Sequence, residues 1–478
     1  MIATALLAAM AAPPHIQQVD CARFTEAAAG VQVECGYLRV AEERSDAVSR
    51  EIGVPFAIVR NAHRTSDYPV IFLTGGPGGR AIPRNIHAVD PSFGGRDLIF
   101  FEQRGTELAD PKLDCPGYAE EKQKGQRGQI DGPALARGLI RIGSLCAEAA
   151  RRAGARLGGY TTQAIVSDIE DFRALNDYRQ INLVGLSYSG KVVTEYARDH
   201  PDRTRAVVAN TPLPVEANYD EYGESAMRRT LDLVIAGCER TPSCDDAHPR
   251  LDWKFRQIVA RAAAKPWTIA VDDPDHPGAK RKVRATGWVV ANALLDQLYS
   301  TDTLETVPAR IDAIWNGDRQ ALSSIVDIGR SKYPWLMRMA LWCNEEVPFE
   351  DAGKVAADLR AYPEFGAVDQ ATIPLGLCKA AGFHATPPAT ENQPVASNVP
   401  FLIFSGQFDP ATPASLHRAM APTLPHATIA LFAAGAHGAG FSRCGGRLLE
   451  QFLAHPEAPL DTGCTNDPPV PDFSRELK

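Results

Sequence analysis

No C-x-x-C and no H-E-x-x-H occurs in the 478 residues, so the common thiolate and metalloprotease patterns for holding zinc are missing. Excess positive charge is missing as well. The 50 basic and 58 acidic side chains sum to −8, without the basic footprint that a nucleic-acid backbone demands. After the first dozen residues no apolar run approaches the roughly twenty that cross a bilayer, and there is neither an internal repeat nor a low-complexity tail. What is present is ordinary for a folded protein: 45% hydrophobic and 23% charged side chains exclude disordered, collagenous and coiled-coil chains. The length predicts either several domains or one large fold carrying an insertion. These bounds leave no nucleic acid and no membrane span among the expected partners, and they do not set an oligomeric state.

Ten cysteines are compatible with five disulfides and an oxidising compartment. Spacing suggests one local scheme: Cys21 with Cys35, Cys115 with Cys146, Cys238 with Cys244, Cys343 with Cys378, and Cys444 with Cys464. Scattered, buried, reduced cysteines are the competing reading. The N-terminus bears on the choice. Residues 1–12 are small and apolar, Pro13 and Pro14 end any helix, and Ala9-Met10-Ala11 fits a cleavage site, so a signal peptide is expected. A basic n-region is lacking, because no Lys or Arg precedes Arg23. A secreted or periplasmic location follows from the two signals together.

From Tyr68 to Val208, short apolar runs alternate with amphipathic stretches, the pattern of a parallel sheet flanked by helices. The strand candidates are Val70–Leu73, Leu98–Phe101, Ile181–Val184 and Ala206–Val208, apolar but for Asn182, as strands buried on both faces should be. Helices are expected over Thr161–Asn176, with Ile165, Ile169, Phe172 and Leu175 on one face, and over Tyr188–His200. After Pro212 helical periodicity dominates, at Ala226–Ala236, Leu251–Ala264, Gly287–Leu298 and Thr303–Trp315. Strand-like sequence returns at Phe401–Ser405 and Thr428–Phe432. The division predicted is a first core part at 20–212, a helical lid at 213–396 and a second core part at 397–478.

Ile181–Val184 runs into Gly185-Leu186-Ser187-Tyr188-Ser189-Gly190 and then a helix, the strand–turn–helix context of a nucleophile elbow. Ser187 is the candidate nucleophile, and Ser189 adds a decoy hydroxyl. Gly185 to Lys191 also fits G-x-x-x-x-G-K, but Val192 stands where a phosphate-binding loop needs a magnesium-holding hydroxyl. An acid and a histidine should follow in the order Ser…Asp…His. Asp409 follows the strand Phe401–Ser405, and His437 lies in a Gly-rich loop after Thr428–Phe432. For any other histidine a core or surface role is the expectation. The run Thr74 to Gly79 lets backbone N–H groups approach a substrate, and the oxyanion donors are assigned to Gly76 and Tyr188. No cofactor or metal is needed by this chemistry.

Cys21…Glu34-Cys35-Gly36, Gly75-Gly76-Pro77-Gly78, Gln103-Arg104-Gly105, Gly185-x-Ser187-Tyr188, Cys343-Asn344-Glu345, Asp409-x-x-Thr412-Pro413, Gly435-x-His437-Gly438 and Cys444…Cys464 together span most of the chain. In these motifs the sequence resembles the secreted tripeptidyl and prolyl aminopeptidase branch of the α/β-hydrolases, including its C-terminal segment. The resemblance implies an α/β-hydrolase fold with a mostly parallel sheet and an inserted helical lid. It also implies a serine peptidase that removes residues or short peptides from a free N-terminus. An acidic lid residue would then neutralise the substrate ammonium, with Glu345 the candidate; Glu221 and Glu224 read as solvated helix charges. Thr74, where the family usually has His, Glu102, where it usually has Asp, and a missing tryptophan after Cys378 depart from the pattern. A carboxylesterase acting on small esters would use the same Ser187, Asp409 and His437.

Overall fold

The computed structural model describes residues 12–329, 333–362, 365 and 373–477; the expected signal peptide, Ala12 apart, lies outside them. Among the described residues one large sheet contains β1 (His15–Val19), β2 (Val33–Ala41), β3 (Glu51–Val59), β4 (Val70–Leu73), β5 (Leu98–Phe101), β6 (Ile181–Leu186), β7 (Thr204–Asn210), β8 (Phe401–Gly406) and β9 (Ala427–Phe432). Their order is β1-β2-β3-β5-β4-β6-β7-β8-β9. The pairings β1/β2, β2/β3 and β3/β5 are antiparallel, and every pairing from β5 to β9 is parallel. This is the α/β fold with a mostly parallel sheet. Strands β6 and β8 are buried along nearly their whole length, which is why they are apolar but for Asn182 and Ser405 and their glycines. Strand β2 interrupts its apolar residues with Glu34 and Arg39, so it carries no continuous apolar run.

Helix Thr162–Leu175 starts where the Thr161 hydroxyl accepts the Ala164 N–H, and it buries Ile165, Ile169 and Phe172 against the sheet. Leu175, expected on that face, is exposed at the helix end. Between helix and sheet lies an ion pair with neither member exposed: Arg104 places Nε and Nη2 on Asp168 at 2.8 and 2.6 Å. Arg104 Nη1 donates to the carbonyls of Glu42 and Gly159. The central residue of Gln103-Arg104-Gly105 thus ties β5 to three segments of the core.

The segment after β7 is not uniformly helical. A hairpin, Trp267–Asp272 with Lys280–Ala285, interrupts it, burying Ile269, Val271, Val283 and Ala285 on alternate positions. The expected helix Thr303–Trp315 is two helices, Thr301–Leu304 and Val307–Trp315, with Pro308 in the first turn of the second, where its missing N–H has no partner to lose. Residues from Met227 to Ile328 share one apolar cluster, apart from the core. Helix Trp335–Glu345 belongs instead to the core cluster, where Trp335, Met337 and Leu341 join Leu113, Tyr118 and Leu139. The ten cysteines form the five pairs that spacing suggests. No described helix is long and apolar enough to cross a membrane.

Replacing Asp168 by Ala should lower stability by about 3–5 kcal/mol, because it leaves the Arg104 charge buried without a partner. A urea unfolding midpoint unchanged from that of the parent protein would show that the pair carries no such weight.

Candidate active site

Strand β6 must hand over to helix Ser189–Asp199 within two residues, and Ser187 takes the turn at φ +55°, a conformation that costs an L-residue energy. The turn is held from three sides. Ser187 N–H donates to Asn210 O at 3.0 Å, and Ser187 O accepts the N–H groups of Gly190 and Leu213 at 2.8 and 2.9 Å. Glycines are required around it. A Cβ on Gly185 would meet Ser189 O at 2.5 Å, one on Gly190 would meet Pro212 Cβ at 2.2 Å, and one on Gly75 would meet Ser187 Cβ at 2.7 Å.

The loop Thr74–Gly79 leaves the end of β4 beside this turn. Gly76 adopts φ +127°, open to glycine alone. Side chains from elsewhere fix the loop: Gly78 N–H donates to Gln103 Oε1 at 2.8 Å, and Gln103 Nε2 donates to Thr74 O at 2.9 Å. Ser189 is no competitor for Ser187. It is fully buried, and its hydroxyl donates to Thr74 O at 2.6 Å. Glu102 accepts the N–H groups of Ala81 and Ile82, and burial pushes its carboxyl up to about 7.

Asp409 follows β8 and is fully buried. Its carboxylate accepts the N–H groups of Ala411 and Thr412, both at 2.8 Å, the Thr412 hydroxyl at 2.9 Å, and His437 Nδ1 at 2.9 Å. Burial disfavours the charge, but the facing imidazole and these donors outweigh it and hold the pKa below the ordinary carboxylate value. The Asp409 carboxylate can only accept, so His437 carries its proton on Nδ1 and leaves Nε2 as a base. The Tyr299 ring stands edge-on to the imidazole, centroids 5.9 Å apart. Ser187, Gly76, Tyr188, Thr412 and His437 all line one cavity of about 500 Å³. No hydrogen bond closes between Ser187 and His437 within it.

Glu345 is not in that cavity. Its carboxylate accepts the Thr162 N–H at 2.6 Å and the Thr162 hydroxyl, and lies 3.4 Å from the hydroxyl of Tyr188. Burial, then the charge of Glu195, pushes its pKa up to about 8. It therefore braces the tyrosine that follows the serine; the carboxylate that does line the cavity is Asp296. Glu224 is buried, and Glu221 pairs with Lys354 at 3.0 Å, so neither is the solvated charge that helical spacing suggested. Lys191, the lysine of the phosphate-loop reading, is buried against Glu346, which removes it from any phosphate site.

One of the other histidines takes the core role expected of them. His417 is fully buried in helix Ala414–Met420. Its Nε2 lies 3.0 Å from Pro212 O, which can only accept, so Nδ1 accepts the Ser405 hydroxyl at 2.7 Å. It joins the segment after Asp409 to the strand bearing the serine's neighbours. No local pattern marks it, because Pro212 is 205 positions away and Ser405 lies on a strand that only the fold brings beside the helix.

A family model described as alpha/beta hydrolase fold matches residues 68–442. The chain belongs to the alpha/beta hydrolases. Serine protease Hip1 of Mycobacterium tuberculosis is 22% identical to this chain over 66% of its residues and 64% of the relative's own length, so the chain spans less than two thirds of that relative. Among solved structures, a thermophilic esterase from Thermogutta terrifontis is 15% identical with a TM-score of 0.37, covering 88% of this chain and 99% of its own. A proline iminopeptidase from Mycobacterium smegmatis is 13% identical with a TM-score of 0.36, covering 85% and 96%.

Burial pushes the His417 imidazole down to about 4. Unfolded, it takes a proton below about 6.5. Between these values the unfolded chain binds more protons at His417, so the contribution of this group to stability should fall as pH drops from about 6.5 to about 4, while the raised carboxyls of Glu102 and Glu345 contribute in the opposite sense. The Asp409 shift acts only below the ordinary carboxylate range. As pH drops through this window, denaturant unfolding should show the unaltered protein losing stability relative to His417→Gln; equal slopes would remove His417 as the cause.

Proposed function

We propose that this chain is a serine hydrolase working through an acyl-enzyme. The observation that carries the reading is the His437–Asp409 contact at 2.9 Å on the wall of the cavity into which the strained Ser187 turn opens. His437 Nε2 takes the Ser187 proton as the hydroxyl attacks a carbonyl, and the same nitrogen returns it to the leaving group. Asp409, held by its donors, orients the ring and stabilises the imidazolium. The separation of Ser187 from His437 closes when substrate fills the cavity, as catalytic hydrogen bonds commonly do. Backbone N–H groups of Gly76 and Tyr188 face the oxyanion, each donor contributing on the order of 10²–10³ in rate.

The bond cleaved, in this reading, is a peptide bond at a free N-terminus. The family motifs and the likeness to a serine protease support it, with Asp296 in place of Glu345 as the cavity carboxylate for the ammonium. An ester substrate is the second reading, favoured by the walls that Leu186, Leu213, Tyr219, Tyr299 and Trp342 give the cavity. The helical segment from Met227 to Ile328 acts as a lid, since its apolar cluster also takes in Phe408 and Ala436, next to Asp409 and His437. Five disulfides and the small apolar start of the sequence support work outside the cytosol, secreted or periplasmic.

Ser187→Ala should lower kcat by about 10⁶ and abolish labelling by a fluorophosphonate, whereas Ser189→Ala should still be labelled. Labelling lost in the second variant alone would move the nucleophile. Substrate class is tested with a free-amine tripeptide amide, its N-acetyl form and a short-chain aryl ester. The aminopeptidase reading expects the acetylated peptide to be hydrolysed far more slowly than the free amine; equal rates exclude it, and turnover of the ester alone selects the esterase.

A further inference from the structure

The cavity wall carries a positive charge that the proposed chemistry does not use. Arg338, on helix Trp335–Glu345, lines the cavity with Ser187 and His437. Its Nη1 donates to the carbonyl of Pro77 in the glycine loop at 3.2 Å, and its Nε is buried without a partner. Among the described residues no carboxylate forms an ion pair with it. Its neighbours are aromatic instead: the guanidinium carbon lies 5.0, 5.7 and 5.9 Å from the ring centres of Tyr333, Trp342 and Trp335. Rings hold a cation in place without cancelling its charge. Asp296 lines the same cavity without an ion pair to Arg338, and the other nearby acids are engaged elsewhere. Glu345 holds Thr162, Glu346 holds Lys191, and Asp220 accepts the Trp342 Nε1–H at 2.9 Å.

A guanidinium that is fixed in place, partly desolvated and short of a counter-ion matches a carboxylate, which can accept two of its N–H groups at once. A neutral ligand would leave the charge without a counter-ion. We propose that Arg338 determines specificity in this cavity by binding a carboxylate of the substrate. The inference rests on the reading of Ser187 as nucleophile. The carboxylate has two possible sources with one chemistry: the acyl part, as an acidic side chain, or the leaving part, as the free C-terminus of a short peptide.

Two matched pairs of aryl esters separate these sources. The first is the nitrophenyl half-ester of adipic acid and its methyl-capped diester; the second is the carboxynitrophenyl ester of butyric acid and its methyl-capped form. In the unaltered protein the anionic member of at least one pair should have a kcat/KM about 10- to 100-fold above its capped partner, the range of a hydrogen bond to a charged group. The pair that shows it locates the carboxylate. In Arg338→Gln the ratio should fall toward one, mainly through KM, and Arg338→Lys should keep part of it. If no pair shows a preference while a fluorophosphonate labels Ser187, the inference fails and the hydrolase reading stands; no labelling and no ester turnover overturn both. A preference that survives in Arg338→Gln also overturns the inference. Should that variant not fold, inhibition of the unaltered protein by glutarate against its neutral diamide decides, and equal inhibition counts against the proposal.

Discussion

The turn at Ser187 is the constraint on which the rest of the site depends. A residue at φ +55° between a buried strand and a helix persists only if its surroundings over-determine it. Here they do so from three separate segments: Asn210 at the end of β7, Leu213 just beyond, and Gly75 in the loop after β4, close enough that a methyl group would collide with the serine. Because β4, β6, β8 and β9 run parallel, their carboxyl ends meet at one edge of the sheet. The glycine loop, the serine, Asp409 and His437 are the segments that leave those ends, so residues 75, 187, 409 and 437 converge without any of them being near in sequence.

What could be read from sequence alone follows from this architecture. Continuous apolar strands followed by a small-residue turn are local signals, and Ser187, Asp409, His437 and the glycine loop each carry one. The five cysteine pairs were legible for the same reason, since each closes a short stretch of chain. The hairpin Trp267–Ala285 was hidden by stronger helical patterns on both sides. Long-range polar contacts were out of reach altogether. Glu345 could be recognised as unusual, but its direction depends on Thr162, which lies 183 positions away in the chain. The same holds for His417, whose partner Pro212 is 205 positions distant. A buried polar group is assigned by what it faces, and facing is a tertiary property.

The polar groups behind the site share one electrostatic pattern. Glu102, Glu195 and Glu345 are each pushed by burial to between about 7 and about 8, where a carboxyl spends much of its time neutral. A neutral carboxyl still accepts hydrogen bonds, so Glu102 can hold Ala81 and Ile82, just after the glycine loop, and Glu345 can brace Tyr188, without projecting a full negative charge toward the proposed oxyanion position. Asp409 is the exception, and it is compensated directly by His437 and by three further donors.

The surroundings of the cavity are therefore less acidic than the count of carboxylates behind it suggests, and Asp296 is the carboxylate on the wall itself. A full negative charge placed close behind Gly76 and Tyr188 would oppose the charge that develops on a carbonyl oxygen under attack, and in a site with little water the opposition would be strong. Holding the supporting carboxyls near neutrality avoids that cost. It also leaves the Arg338 charge uncancelled, since the rings of Tyr333, Trp335 and Trp342 fix the guanidinium while contributing no counter-charge. In the proposed reaction, the arrangement that would protect a developing oxyanion is thus the same one that would make the cavity receptive to an anionic substituent.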